Sequence, residues 1–129
     1  MTADADTIRT TVDAYTAAFS AGDVDAYVSL FAEDAWLEDP VGTPVRTGHD
    51  EIRAFFLEMS AMSDATELVR TGPVRVAAGE AAFPMQARPR LGDATFVLDI
   101  VDVMSFDDHG RITTMRAFWD PAEMRPFEG

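Results

Sequence analysis

The chain of 129 residues contains no cysteine, and all ten of its positive charges are arginine, so lysine is absent as well. Without thiols there can be no disulfide, no cysteine nucleophile and no zinc–thiolate site. Without lysine there can be no Schiff base and no P-loop lysine. The two histidines, His49 and His109, are too few for a three-histidine metal site, and no ligand spacing supports a metal between them. No apolar run approaches the roughly 18 residues a membrane span requires. The opening MTADADTIRTTVDAY lacks the basic and apolar regions of a signal peptide, so a cytoplasmic protein is expected.

What is present is acid. Twenty-three Asp and Glu against ten Arg leave a net charge of −13. That balance argues against binding a phosphate backbone or an anionic membrane. The apolar fraction of 47% is enough for one folded domain, expected to span residues 1–129 with an irregular tail at about 120–129. Any chemistry has to come from carboxylates, tyrosine, histidine and backbone.

Ile8, Val12, Tyr15 and Phe19 recur at helical spacing, and Gly22 suits the C-cap of that first helix. Asp23 suits the N-cap of a second helix with Tyr27, Leu30 and Phe31 turned inward. A short strand is expected over Ala35–Asp39, ended by Pro40, and a third helix opens at His49 or Asp50 with Ile52, Phe55, Phe56 and Met59 as its apolar stripe. Strands are then expected over Glu67–Val76, Ala81–Arg90, Ala94–Phe106 and Arg111–Trp119, separated by turns rich in Gly and Asp. Helices followed by an antiparallel meander make an α+β fold.

Three side chains stand out. In the strand Ala94–Phe106, parity puts Asp102 on the same face as Phe96, Leu98, Ile100, Met104 and Phe106. A carboxyl in an apolar stripe either keeps its proton and becomes a hydrogen-bond donor, or pairs with a cation such as Arg116. Tyr15 lies in the apolar face of the first helix, where its hydroxyl needs a partner; an ordinary core tyrosine would look the same. Asp39 falls on the inward parity of its strand, although an Asp before Pro is also common turn chemistry. Arg88 and Arg90 share a strand face and read as solvated.

The run DAYTAAFSAGDVDAYVSLFAEDAWLEDPVGTPVRTG, followed by HDEIRAFF, GEAAF, LDIVDVMSF and ITTMRAFW, resembles the bacterial ketosteroid isomerases of the NTF2-like (SnoaL-like) superfamily. The resemblance implies a cone in which three N-terminal helices pack on a curved, mostly antiparallel sheet. It implies conversion of a 3-oxo-Δ5 steroid to the 4-en-3-one, with Asp39 as the base and Tyr15 and a protonated Asp102 holding the dienolate oxygen. Phe55, Met85 and Trp119 would line the pocket for a small apolar steroid, no metal or cofactor would be needed, and the protein would be a homodimer through the outer face of its sheet. One departure stands out: relatives place a tyrosine, bonded to the oxyanion tyrosine, where this chain has Phe56, and some place another where it has Phe31. Tyr15 is therefore expected to lack hydroxyl support, with lower activity or a changed substrate as the consequence. The alternatives are another enzyme on the same cone, such as a polyketide cyclase or hydrolase, and a non-catalytic ligand-binding module.

Overall fold

The computed structural model describes residues 2–128. Three helices, α1 (Ala5–Ala21), α2 (Val24–Ser29) and α3 (Gly48–Ser60), lie against one open mixed sheet. Its strands are β1 (Phe31–Glu38), β2 (Arg46–Thr47), β3 (Ala65–Arg70), β4 (Arg75–Ala77), β5 (Glu80–Leu91), β6 (Ala94–Phe106), β7 (Ile112–Phe118) and β8 (Arg125–Pro126). The order is β2-β1-β7-β6-β5-β3, with β4 also on β5 and β8 on β6. Every pairing is antiparallel except β1 with β7. The α+β expectation holds.

Local chemistry sets the helix boundaries. Asp4 Oδ1 accepts from the Thr7 N–H at 2.8 Å and opens α1, and Gly22, at φ +69°, closes it in a backbone conformation that side chains disfavour. Asp23 Oδ1 accepts from the Ala26 N–H at 3.1 Å and opens α2. Thr47 caps α3 without a side-chain bond; instead the Glu51 carboxylate, four residues on, reaches back and accepts the Thr47 N–H at 2.8 Å.

Three segments differ from expectation. The second helix ends at Ser29, and Phe31 begins β1, so that strand starts four residues before Ala35. Phe31 stays buried in its new context, on the same strand parity as the buried Ala35 and Leu37, although the register with β7 shifts between Phe31 and Trp36. The strand expected over Glu67–Val76 is two strands, β3 and β4, broken at Thr71-Gly72-Pro73. There β5 changes partner at Pro84, and a Cβ on Gly72 would meet that ring at 2.9 Å, so only glycine fits. The tail is not wholly irregular: Pro121–Glu123 forms one 3-10 turn, and β8 pairs with β6 at Phe96 and Val97. That covers Val97, the one buried apolar residue on the outer parity of β6. Beside it, Arg88 stacks over Phe127 at 4.6 Å, so it is tied to the tail rather than free in solvent.

The core forms where the inward faces of α1, α3 and the sheet meet. Ile8, Val12, Leu37, Ile52, Phe56, Phe83, Met104, Ile112 and Met115 are almost fully buried there. This apolar interior surrounds the first candidate carboxyl.

Candidate active site

Asp102 is in the middle of β6, directly across from Phe83 on β5 and Ala117 on β7. Its exposure is 0%, and it is the one buried charged or polar residue among the described residues. Neither carboxyl oxygen has a hydrogen-bond partner. The ion-pair alternative fails, because Arg116 points to the other side and binds Glu38 Oε1 at 3.2 Å. Burial, and then the nearby charge of Asp39, push the Asp102 carboxyl well above the usual carboxylate range. Both causes favour its protonated form.

Tyr15 reaches the same place from α1 and is 2% exposed. Burial and the negative potential of Asp102 and Asp39 hold its hydroxyl well above the ordinary phenol range, so it stays protonated and can donate. Tyr15 lies beside Asp102 and favours its ionised form slightly, but no bond within 3.5 Å joins them. Two hydroxyl-bearing groups, the Tyr15 phenol and the Asp102 carboxyl, thus lie side by side in the apolar interior.

Asp39 follows the last residue of β1, and Trp119 follows the last residue of β7. Because these strands run parallel with Glu38 beside Arg116, their ends meet. Trp119 Nε1–H donates to Asp39 Oδ1 at 2.6 Å. The segment after Asp39 is fastened by Val41 N–H to the Ala117 carbonyl at 2.8 Å and by Gly42 N–H to Glu38 Oε2 at 3.1 Å. Burial raises the Asp39 carboxyl to about 6, and the Trp119 N–H draws it back down. Asp39 is only half-buried, whereas Asp102 is closed in, so the two carboxyls separate in acidity. The difference favours ionisation at Asp39 and retention of the proton at Asp102.

Of the expected pocket residues, Phe55 and Met85 are each 3% exposed and belong to the same core, with Met85 one inward step along β5 from the Phe83 that faces Asp102. Phe55 carries the Arg46 guanidinium 5.7 Å from its ring centroid. Trp119 packs at the edge of the core and holds the Asp39 carboxylate, a bond that sequence parity could not reveal. His49 Nε2 is 2.8 Å from the Phe31 carbonyl and ties α3 to β1, while His109 is in the exposed turn after β6. Among the described residues no three histidine or carboxylate side chains converge to hold a metal ion.

Sequence reasoning turned Tyr27 inward but assigned it nothing. In the structure it is fully buried beside Tyr15, with ring centroids 5.5 Å apart, and its hydroxyl has no partner. The available signal was compositional: it is one of only two tyrosines, set in an otherwise apolar helix face.

Comparison with known proteins identifies the family and the fold. The chain is 39% identical over 117 residues to a protein named Steroid Delta-isomerase from Nocardioides simplex, a match covering 91% of this chain and 93% of that one. Its fold is similar, at a TM-score of 0.84 and 26% identity over 96% of this chain and 98% of the other, to the solved structure of SalBIII. That protein is described as an epoxide hydrolase/cyclase-like enzyme in pyran ring formation in the polyether salinomycin. A SnoaL-like domain model matches residues 12–115. With most of its length matched in this way, the chain belongs to the SnoaL-like branch of the NTF2-like family.

Proposed function

We propose that the chain is a steroid Δ-isomerase that moves the double bond of a 3-oxo-Δ5 steroid into conjugation. The observation that carries this reading is the buried, unpartnered Asp102 carboxyl, whose burial favours its protonated form, beside the Tyr15 hydroxyl and near Asp39, whose carboxyl is raised only to about 6. The named relative from Nocardioides simplex supports it.

In this mechanism an Asp39 carboxylate oxygen removes a proton from C4 of the steroid. The electrons of that C–H bond move into the C3 carbonyl, giving a dienolate. Tyr15 O–H and Asp102 O–H donate to the oxygen as its charge develops, in surroundings where such bonds count for more than in water. Asp39 then returns the same proton to C6, and the dienolate collapses to the 4-en-3-one. The base is regenerated and nothing is consumed. The Trp119 N–H keeps the Asp39 carboxylate facing one way while lowering its basicity. Val101 and Phe118, paired across β6 and β7 and 45% and 43% exposed, suit the proposed dimer face; elution as a monomer would contradict it.

The test follows ultraviolet absorbance of the conjugated enone formed from a 3-oxo-Δ5 steroid. The expected trace rises saturably, and kcat/KM falls below pH about 6, because protonating Asp39 removes the base. A flat trace across the pH range contradicts the reading. Trp119→Phe removes the N–H that favours the carboxylate, so its acid limb is expected to move to higher pH by about half to one unit. An unmoved limb would mean that the Trp119 bond does not persist in the working enzyme.

A second reading has one observation in its favour, the likeness to SalBIII. An ionised Asp39 and a protonated Asp102 could also deprotonate a hydroxyl and protonate an epoxide oxygen. Turnover of a hydroxy-epoxide with no turnover of the steroid would favour it.

A further inference from the structure

The Tyr27 hydroxyl is a buried polar atom without a partner, on a side chain that has nowhere else to go. α2 begins at the Asp23 cap, and the Tyr27 N–H is bonded to the Asp23 carbonyl at 3.0 Å, which fixes where the ring emerges. Around that ring stand Phe56 at 4.9 Å, Phe31 at 5.2 Å, Tyr15 at 5.5 Å and Phe19 at 5.9 Å between centroids. Three of these four neighbours are phenylalanines and cannot satisfy a hydroxyl. Of these rings only Tyr15 carries a hydroxyl; Asp39 and Asp102 are near enough to act on Tyr27 by charge, but Tyr15 is the group placed to share a hydrogen bond with it.

We propose that Tyr27 is the positioning residue of the oxyanion site: when a ligand oxygen takes the Tyr15 hydrogen bond, the Tyr27 O–H donates to Tyr15 Oη. This rests on the reading of the site as an oxyanion hole. It replaces the expectation that Tyr15 lacks hydroxyl support, since the supporting hydroxyl comes from α2 instead of from the positions of Phe56 or Phe31. No proton is transferred between the tyrosines. Tyr27 donates, the Tyr15 oxygen accepts, and the single Tyr15 proton is thereby turned toward the ligand. As charge develops on the ligand oxygen, it polarises Tyr15 O–H and makes Tyr15 Oη a better acceptor, so the Tyr27 bond strengthens with the dienolate rather than with the ketone. Without a ligand the hydroxyls are close enough to influence each other's ionisation, yet the bond is not closed. Catalytic hydrogen bonds commonly tighten only in the complex.

A purely structural tyrosine makes different predictions. Its hydroxyl would have a partner in the free protein, and its loss would lower stability. Here the orphaned hydroxyl makes Tyr27→Phe neutral or favourable for folding, while the reaction suffers, as at sites where function is held against stability.

The experiment is a cycle of Tyr27→Phe, Tyr15→Phe and the double variant, with three readouts. Tyr27→Phe is expected to lower kcat about tenfold with KM changed less than about twofold, and with Tm unchanged or raised. In the Tyr15→Phe background the same substitution is expected to change kcat less than about twofold, because the group it acts through is gone. The third readout is the absorbance of bound 4-nitrophenol, which separates neutral from ionised phenol. Its apparent pKa in the site is expected to rise by about one unit in Tyr27→Phe relative to the wild type. An equal loss of kcat in both backgrounds, no loss in either, or a lowered Tm with no change in the phenol titration overturns the proposal. If the wild type forms no enone, the isomerase reading fails, and the phenol titration alone decides Tyr27: a shift lost in the Tyr15→Phe background supports the role, and no shift refutes it.

Discussion

Asp39→Asn is expected to lower kcat for the 3-oxo-Δ5 steroid by at least about 10^3-fold while leaving the protein folded and its affinity for a phenolic steroid equal or improved. The amide has almost the shape of the carboxylate, and its oxygen still accepts the Trp119 N–H, so the geometry at the ends of β1 and β7 persists. What is lost is the lone pair able to take a proton from carbon. Affinity is expected to hold because the proposed donors to the ligand oxygen, Tyr15 and Asp102, are untouched.

The same substitution has a thermodynamic signature. Asp39 is raised from an ordinary 3.8 to about 6 in the folded protein, so folding favours its protonated form. That contribution is fully present below pH about 4 and is lost as pH rises through about 6, where the folded site must hold a charge it resists. The amide of Asp39→Asn never carries that charge. The variant is therefore expected to gain stability over the wild type between pH 4 and pH 7, on the order of 2 kcal/mol by denaturant unfolding at pH 7. A variant that is both inactive and less stable at pH 7 would show that Asp39 serves the fold.

Asp102→Leu is the second substitution with a large expected effect. Leucine branches as aspartate does, so it fills the space opposite Phe83 and Ala117 without a new polar atom. One of the two proposed oxyanion donors disappears, and kcat is expected to fall about 10^2- to 10^3-fold. Stability at pH 7 is expected to rise by about 1–3 kcal/mol, because two buried oxygens without partners are removed. The sign follows from linkage: the Asp102 carboxyl is raised well above its unfolded value, so its stabilisation is complete at low pH and diminishes as pH increases toward neutrality. Asp102→Asn keeps a neutral N–H donor in the same position and is expected to retain activity within about tenfold. Equal losses for the two substitutions would mean that the donated hydrogen bond is not what Asp102 supplies.

Asp102 was legible in the sequence because β6 is regular. Thirteen residues alternate faces without interruption at that position, so counting by two from Leu98 to Phe106 placed the carboxyl inside. The first helix was equally plain, with Ile8, Val12 and Tyr15 on one buried face between an Asp cap and a Gly stop. Parity was a weaker guide where strands bend. The helical spacing of Tyr27, Leu30 and Phe31 hid the start of β1, whose register with β7 is irregular after Phe31, and Pro73 was too slight a signal to divide β3 from β4. The bond from Trp119 to Asp39 joins residues 80 apart in sequence, and depends on β1 and β7 being parallel neighbours. No local pattern carries that pairing. Tyr27 was hidden for a different reason: an inward tyrosine in a short helix has many ordinary explanations. Only the fold shows its ring set among three phenylalanines and Tyr15, with its hydroxyl unpartnered.

The central claim is that one carboxylate carries the proton from C4 to C6 beneath a pair of neutral donors. The measurement that tests it most directly uses a 3-oxo-Δ5 steroid deuterated at C4, turned over in ordinary water, with the product's C6 hydrogen read by NMR. A share of the product is expected to carry deuterium at C6, with that share and the rate both lost in Asp39→Asn. Product formed at full rate with only solvent hydrogen at C6 would contradict the account, because the proton would then come from water rather than from Asp39.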